Sequence, residues 1–88
     1  MTYTVYILRT SADTLYIGQT NNLERRLKEH REKSVRSSKY IRSFDSFELV
    51  YQETFVTRNE SMKREIELKK LTKIKKEELV KVQPKGLE

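Results

Sequence analysis

The first twenty residues carry the hydrophobic pattern of a β-hairpin. Residues 3–9 are rich in β-branched and aromatic side chains on both alternating faces, which predicts a strand covered on both sides. Residues 11–14 supply turn chemistry, and residues 15–19 predict the returning strand. Tyr6 and Tyr16 share one face of this hairpin if the register pairs residues whose numbers sum to an even value, and the sequence leaves that register open.

A helix follows the hairpin. Asn21 or Asn22 offers an N-cap for a helix that runs to about Lys33. Leu23 and Leu27 lie one turn apart and mark its apolar side. The spacing therefore predicts that this helix packs on the hairpin through a narrow leucine stripe.

The middle of the chain predicts a short helix and a third strand. Residues 37–44 favour a short helix, whose inward side chains are predicted to be Tyr40, Ile41 and Phe44. Residues 47–55 alternate between apolar and polar types, which predicts a strand with one buried face. The side chains predicted on that face are Phe47, Leu49, Tyr51 and Phe55.

Two helices are predicted after the third strand. Thr57 and Glu60 fit a capping box that opens the first of them. Its apolar arc is predicted to contain Met62, Ile66 and Leu68. Thr72 is placed to cap a final helix over residues 73–82. The residues predicted to end that helix are Pro84 and Gly86.

Together these elements predict one α+β domain over residues 1–83. Helices would pack on a small three-stranded antiparallel sheet, in the order β-β-α-(α)-β-α-α. Residues 84–88 would form a tail, in which Leu87-Glu88 resembles a cloning scar. The first residues lack the pattern of a signal peptide, and no window approaches the ~18 apolar residues of a membrane span. We therefore expect a cytoplasmic protein with no membrane contact, and association with the nucleoid is left open.

Composition narrows the metal chemistry that the chain can perform. It has no cysteine and one histidine, which excludes disulfides, thiolate-bound zinc and multi-histidine metal centres. A catalytic metal ion would therefore be held mainly by oxygen. Mg²⁺ and Mn²⁺ are the ions that prefer such ligands.

Basic residues are concentrated in two segments of the sequence. The formal net charge is +6, with eight basic residues from Arg25 to Arg42 and nine from Lys63 to Lys85. Such clusters favour contact with a phosphate backbone, although a solvated surface would look the same. The candidate nucleic-acid-binding residues are Arg25, Lys28, Arg36, Lys39, Arg42, Lys69 and Lys73.

Three polar residues break the apolar pattern of the two longer helices. Arg26 and His30 fall in the i, i+3, i+4, i+7 series that contains Leu23 and Leu27. Glu65 falls inside the apolar arc of the helix that follows the third strand. A charge on the inner side of a helix is costly without a partner. An Arg26–Glu65 ion pair would satisfy both residues without any chemistry, so a structural pair and an active site are both open here.

Taken together, these residues resemble the GIY-YIG nuclease family. The first motif of the family is similar to Thr4-Val5-Tyr6, which keeps the tyrosine, and the second is present intact as Tyr16-Ile17-Gly18. The essential arginine and histidine of the family correspond to Arg26 and His30, and its metal-binding glutamate corresponds to Glu65. The resemblance is to the short bacterial members related to the N-terminal domain of the excision-repair incision subunit. It extends over residues 3–82.

The resemblance implies a metal-dependent endonuclease that cuts nucleic acid, DNA in preference to RNA, in repair or recombination. Glu65 would hold a single Mg²⁺ or Mn²⁺ ion. Tyr6 would help to deprotonate the attacking water, which requires a cationic neighbour such as Arg26 or a relay, because a phenol has a pKa of about 10. Arg26 would offset charge on the phosphate, and Tyr16 would hold the phosphate or the nucleophile. The roles open to His30 are phosphate contact and a share in the general-base step.

The resemblance also carries a geometric expectation and several alternatives. Gly18 is expected to let another backbone or a phosphate approach closely. Gln19 replaces a lysine of the excision-repair relative, which removes one cationic phosphate contact. The alternatives are a nucleic-acid-binding module that has lost catalysis, a nuclease that needs a protein partner for targeting, and a basic adaptor protein in which the tyrosines belong to the core.

Overall fold

The central strand of the sheet is the apolar segment near the start of the chain. In the computed structural model, which describes residues 2–33 and 36–82, three antiparallel strands form a sheet in the order β2-β1-β3. The strands are β1 (Tyr3–Thr10), β2 (Leu15–Thr20) and β3 (Phe47–Phe55). β1 therefore pairs on both sides, and β2 and β3 are the two edge strands among the described residues.

Four helices complete the predicted α+β order. They are α1 (Leu23–Arg31), α2 (Lys39–Arg42), α3 (Arg58–Lys69) and α4 (Lys73–Val82). α1 ends earlier than predicted, because Lys33 adopts a left-handed φ of 53° that a helix cannot continue. The predicted helix end at Pro84 and Gly86, and the predicted tail, lie outside the described residues. Within residues 2–33 and 36–82, the structure contains no helix with the length and apolar character that a membrane span requires.

Side-chain caps begin the helices where the sequence places them. The Asn22 side chain accepts from the backbone N–H of Arg25 at 3.0 Å, and Thr57 accepts from that of Glu60 at 3.2 Å. Thr72 accepts from the backbone N–H of Lys75 at 3.2 Å, as predicted for the start of α4. These bonds satisfy donors that the first helical turn leaves unpaired.

Both faces of the sheet are buried, as the pattern of β1 predicts. On one face, Val5 and Ile7 pack with Leu68 of α3 and with partly buried residues of α4. On the other face, Tyr6 and Leu8 pack with residues of α1 and α2. The sheet thus separates two small cores, and polar side chains that point from the Tyr6 face lie under α1 and α2.

The prediction that one face of β3 is apolar throughout is wrong. Ile7 lies opposite Tyr51 and Leu8 opposite Leu49, so Val50 is an extra residue in β3. This β-bulge shifts the alternation by one residue, and side chains beyond it point to the opposite face. Phe47 and Leu49 consequently pack in the core that contains Tyr6. Tyr51 and Phe55 pack in the other core.

The predicted inward faces of α2 and α3 also need correction. In α2 only Ile41 is fully buried, and Tyr40 is 44% exposed. In α3 Leu68 is buried, whereas Met62 is 39% and Ile66 is 54% exposed.

The rotation of α3 follows from its ion pair with β3. Arg64 donates to both carboxylate oxygens of Glu53, with Nε–Oε1 and Nη2–Oε2 distances of 3.0 Å. Tyr51 donates a further hydrogen bond to the same carboxylate. This arrangement turns Ser61 and Leu68 towards the sheet, and both are fully buried.

The orientation of α3 generates a stability prediction. Leu68→Ala removes a fully buried side chain, so it should lower the free energy of unfolding by about 2–5 kcal/mol. Ile66→Ala on the same helix removes a half-exposed side chain, so it should change that free energy by about 1 kcal/mol or less. Urea unfolding of the two variants measures both effects. Equal losses would show that α3 presents a different face to the sheet.

Candidate active site

The register of the hairpin places Tyr6 and Tyr16 on one face. Tyr6 lies opposite Gly18, and Leu8 lies opposite Tyr16. These pairs have even sums, so both tyrosine rings project towards α1. The ring centroids are 6.4 Å apart, with the planes tilted by 46°. The two tyrosines therefore lie on one face of the sheet, on β1 and the edge strand β2.

Gly18 makes room for the Tyr6 ring. A Cβ added at Gly18 would lie 2.5 Å from the Tyr6 hydroxyl oxygen and 2.6 Å from Cζ. Real Cβ atoms do not approach other atoms so closely, so a side chain here would displace the ring. The expectation of a close approach is correct, but the approaching group is the side chain of Tyr6 rather than a backbone or a phosphate.

His30 reaches the Tyr6 hydroxyl from α1. Its Nε2 atom lies 3.1 Å from the hydroxyl oxygen, and its Nδ1 atom lies 2.7 Å from Oγ of Ser37. The ring also lies 5.9 Å from the centroid of Tyr16 and 5.9 Å from that of Phe47. His30 is only 1% exposed, so this imidazole sits in an almost closed aromatic cage.

Ser37 is a residue of the site that sequence reasoning missed. It is buried at 5% exposure, just before the N-cap Ser38 of α2. The sequence indicated it only as the first residue of the short helix predicted over residues 37–44. No local signal in the sequence relates it to a histidine seven positions earlier.

Burial keeps both Tyr6 and His30 uncharged. Burial, together with repulsion from the neighbouring Arg26 guanidinium, lowers the pKa of His30 to about 4. Burial, together with the nearby Tyr16, raises the pKa of Tyr6 to about 12, although Arg26 acts in the opposite direction. Arg26 does lower the pKa of the phenol, as expected, but the increase caused by burial is larger.

The neutral ring of His30 has one N–H and one acceptor nitrogen. Ser37 Oγ can donate to the carbonyl of Ser38, at 3.5 Å, and is then an acceptor for Nδ1–H. In this arrangement Nε2 accepts a hydrogen bond from the Tyr6 hydroxyl. We assign this direction to the chain from Tyr6 through His30 to Ser37.

Arg26 lies on α1, where it interacts with Tyr6 and lines a cleft. Its Nη1 atom donates to Glu29 Oε1 at 3.0 Å and to the backbone carbonyl of Arg36 at 2.5 Å. Burial opposes its charge, but hydrogen bonding to Tyr6 and Glu29 prevails and raises the pKa of Arg26. No ion pair joins Arg26 to Glu65, although both residues lie in the described part of the chain. The purely structural pair considered from the sequence is therefore excluded.

Glu65 approaches the same region from the other layer of helices. Its side chain is 22% exposed, and Oε2 lies 2.9 Å from Nζ of Lys69. Its negative charge acts on Tyr6, where it contributes to the raised pKa. Residues 2–33 and 36–82 contain no cluster of three or more metal-ligating side chains. A lone carboxylate nevertheless fits Mg²⁺, because this ion keeps several of its waters.

Three of the seven predicted nucleic-acid-binding residues line one of two pockets, and the other four do not. Arg25 and Arg36 line a cleft together with Arg26. Lys69 lines a pocket next to Tyr16 and Tyr40, whose rings are stacked with centroids 5.9 Å apart. The other predicted residues line neither pocket. Lys73 donates to the carbonyl of Asp13, Lys28 and Lys39 are exposed, and Arg42 is half-buried.

Comparison with known proteins shows the family of this chain. Residues 2–78 match the family model described as the GIY-YIG catalytic domain. The chain belongs to the GIY-YIG family. A UPF0213 protein of Natronomonas pharaonis is 43% identical over 76 residues, covering 86% of this chain and 87% of the relative. A UPF0213 protein of Oceanobacillus iheyensis is 39% identical over 79 residues, covering 90% of each chain.

A solved structure shares this GIY-YIG fold. The solution structure of a UPF0213 protein from Bacillus halodurans is 35% identical and superposes with a TM-score of 0.63, covering 98% of this chain and 89% of the other. In GIY-YIG terms, the second motif lies on β2 and its glycine faces the tyrosine of the first motif on β1. Tyr6 and Gly18, the last residues of the two motif segments, are thus opposite partners in one hairpin.

The Gly18 contact generates a packing prediction. Gly18→Ala should lower the free energy of unfolding by about 1–3 kcal/mol, because the new methyl group overlaps the Tyr6 ring. In a Tyr6→Leu background the overlapping atoms are absent, so the same substitution should cost much less. Urea unfolding of the four proteins in this cycle measures the coupling. Equal costs in both backgrounds would contradict the contact.

The environment of His30 generates a pH prediction. Because the chain has one histidine, its NMR titration is unambiguous, and the midpoint should lie near pH 4 instead of the usual ~6.5. A folded pKa below the unfolded one gives stability that is present above about pH 6.5 and is lost as pH falls towards 4. A His30→Gln variant should lack that part of the loss in urea unfolding. A midpoint near 6.5 would show an exposed imidazole.

Proposed function

We propose that this protein hydrolyses phosphodiester bonds in nucleic acid, DNA in preference to RNA, with one divalent metal ion. The observation that carries the proposal is the hydrogen-bonded pair of Tyr6 and His30 beside Arg26, in a chain of the GIY-YIG family. These groups lie next to the unpaired edge of β2, where a polymer strand has access. The fold and the family support this reaction class above a purely structural use of the same residues.

Glu65 is the residue proposed to hold Mg²⁺ or Mn²⁺. A bound ion of this kind would supply Lewis-acid chemistry, withdrawing charge from the phosphate and making coordinated water more acidic. Lys69 must then release Oε2 of Glu65, which it contacts at 2.9 Å. Lys69 is more than half exposed, so its ammonium group is free to turn towards a phosphate instead.

Tyr6 and His30 are proposed to move the proton of the attacking water as a relay. Tyr6 is a neutral phenol at pH 7, so it does not act as a preformed phenolate. Its oxygen can accept a proton from water while its own proton passes to Nε2 of His30 at 3.1 Å. His30 is neutral at the same pH, which leaves Nε2 free to accept. The relay avoids a lasting phenolate in a buried place.

Arg26 and Tyr16 are proposed to bind the scissile phosphate. The guanidinium of Arg26 keeps its charge, and its planar fork suits two phosphate oxygens. It is held in place by Glu29 and by the carbonyl of Arg36, so little reorganisation is needed when charge develops on the phosphate. The Tyr16 hydroxyl, which lies on β2, can hold the phosphate or the nucleophile.

A second candidate function is a nucleic-acid-binding module with weak catalysis, or a nuclease that a targeting partner activates. One observation favours it. The only carboxylate assigned to the metal is already paired with Lys69. An ammonium group at this oxygen competes with a divalent cation. A bound substrate or partner that draws Lys69 away would then be needed for full metal affinity.

The test is a cleavage assay with matched variants. The protein is incubated with single-stranded, duplex, flapped and four-way-junction DNA and with RNA, in Mg²⁺, Mn²⁺ or EDTA. We expect cleavage that depends on metal. Arg26→Ala and Glu65→Ala should each lower its rate by about 10²–10³. Glu67→Ala, on the same helix with an exposed carboxylate, should cut at the wild-type rate.

The outcomes separate the two candidates. Binding without cleavage on every substrate would reject hydrolysis by the isolated chain and favour the second candidate. Normal cleavage by Arg26→Ala would remove that residue from the mechanism. Cleavage that survives EDTA would reject the metal requirement.

A further inference from the structure

A cleft beside Arg26 concentrates positive charge at one end of the hairpin. It has a volume of about 580 Å³, and its lining includes four arginines and one glutamate, for a net charge of +3. These charged residues are Arg25, Arg26, Glu29, Arg36 and Arg58. They come from α1, from the segment before α2 and from the start of α3, so separate parts of the chain converge on the same space.

Two of the four arginines that line this cleft have no anionic partner within the described part of the chain. Glu29 is paired with Arg26. The side chains of Arg25 and Arg58 are exposed and make no ion pair or hydrogen bond within residues 2–33 and 36–82. Neighbouring guanidinium groups repel one another unless an anion lies between them. The cleft is thus suited to a phosphate group.

The cleft continues from the candidate active site along β2. Gly18 lies opposite Tyr6, and Thr20 lies opposite Thr4 at the mouth of the cleft. Two residues of a strand span roughly 7 Å. That length is comparable to the spacing of neighbouring phosphates along a nucleic-acid strand. Arg26 belongs to both places, because it lines the cleft and its positive charge acts on Tyr6, where it lowers the pKa of the phenol.

We infer that this cleft binds the phosphate next to the scissile one on the same strand, with Arg58 as its principal new contact. The inference rests on the proposed function, since it extends the substrate path of the same site. Arg58 lies on α3, the helix that carries Glu65, whereas Arg25 and Arg26 lie on α1. A nucleic-acid strand bound in the cleft would therefore contact both α1 and α3. Its contacts are to phosphate and carry no base preference.

Binding measurements without metal test the cleft separately from catalysis. Fluorescein-labelled DNA oligonucleotides, single-stranded and duplex, are titrated with protein in EDTA across a range of salt. Arg58→Ala should weaken binding about three- to tenfold and lower the salt slope by about 1. Lys63→Ala removes one exposed charge from the same helix outside the cleft, and it should leave binding within about twofold of wild type.

A methylphosphonate scan locates the contact on the strand. Replacing single phosphates by neutral methylphosphonates should weaken wild-type binding at two adjacent positions. The effect at one of them should vanish in Arg58→Ala, because that variant no longer contacts the charge. Equal effects in both proteins would overturn the inference, as would Lys63→Ala weakening binding as much as Arg58→Ala.

The same experiment distinguishes the cleft from hydrolysis. Arg58-dependent binding with no cleavage in Mg²⁺ or Mn²⁺ supports the cleft and rejects the proposed hydrolysis. Metal-dependent cleavage with unchanged binding and KM in Arg58→Ala supports hydrolysis and rejects the cleft. A raised KM with unchanged kcat in Arg58→Ala supports both, because a remote phosphate contact acts equally on substrate and transition state.

Discussion

The Tyr6 ring rests against the backbone of Gly18, and the positions of the neighbouring groups depend on that contact. A Cβ at this point would meet the hydroxyl oxygen at 2.5 Å, so only glycine permits the observed ring position. With the ring in this place, its hydroxyl lies 3.1 Å from His30 Nε2 and adjoins Arg26. Gly18 on the edge strand β2 therefore fixes the position of the Tyr6 hydroxyl, which projects from the central strand β1. Gly18 thus influences the neighbouring groups through the position of the Tyr6 ring.

Burial at this contact determines the charge states of the site. Tyr6 and His30 are each 1% exposed, and their pKa values of about 12 and 4 leave both neutral over the whole range between. In the proposed relay the phenol stays neutral, and the positive charge of the transferred proton ends on the His30 ring. Arg26 supplies the positive charge that a phosphate requires, and its own anchoring by Glu29 keeps it next to the phenol. Tyr6 and His30 are therefore the buried neutral groups of the site, and Arg26 is the charged group beside them.

Features encoded over a few residues were predictable from the sequence, and features set by tertiary contacts were not. The apolar run of β1 and the caps at Asn22 and Thr57 are local signals, and the structure confirms them. The bulge at Val50 depends on how β3 pairs with β1, which the alternation of β3 alone does not reveal. Ser37 joins the site only because the loop before α2 folds back on α1.

The exposure of Ile66 shows how a polar contact can override an apolar pattern, and it bears directly on Glu65. The bidentate pair between Arg64 and Glu53 fixes the rotation of α3 about its axis. Successive residues on a helix point about 100° apart, so Arg64 facing β3 directs Glu65 a little more than a quarter turn away from β3. Lys69, the partner of Glu65, accordingly lines a pocket with residues of β2. An ion pair with no part in the chemistry thereby aims the carboxylate proposed to hold the metal at the edge strand that carries Tyr16 and Gly18.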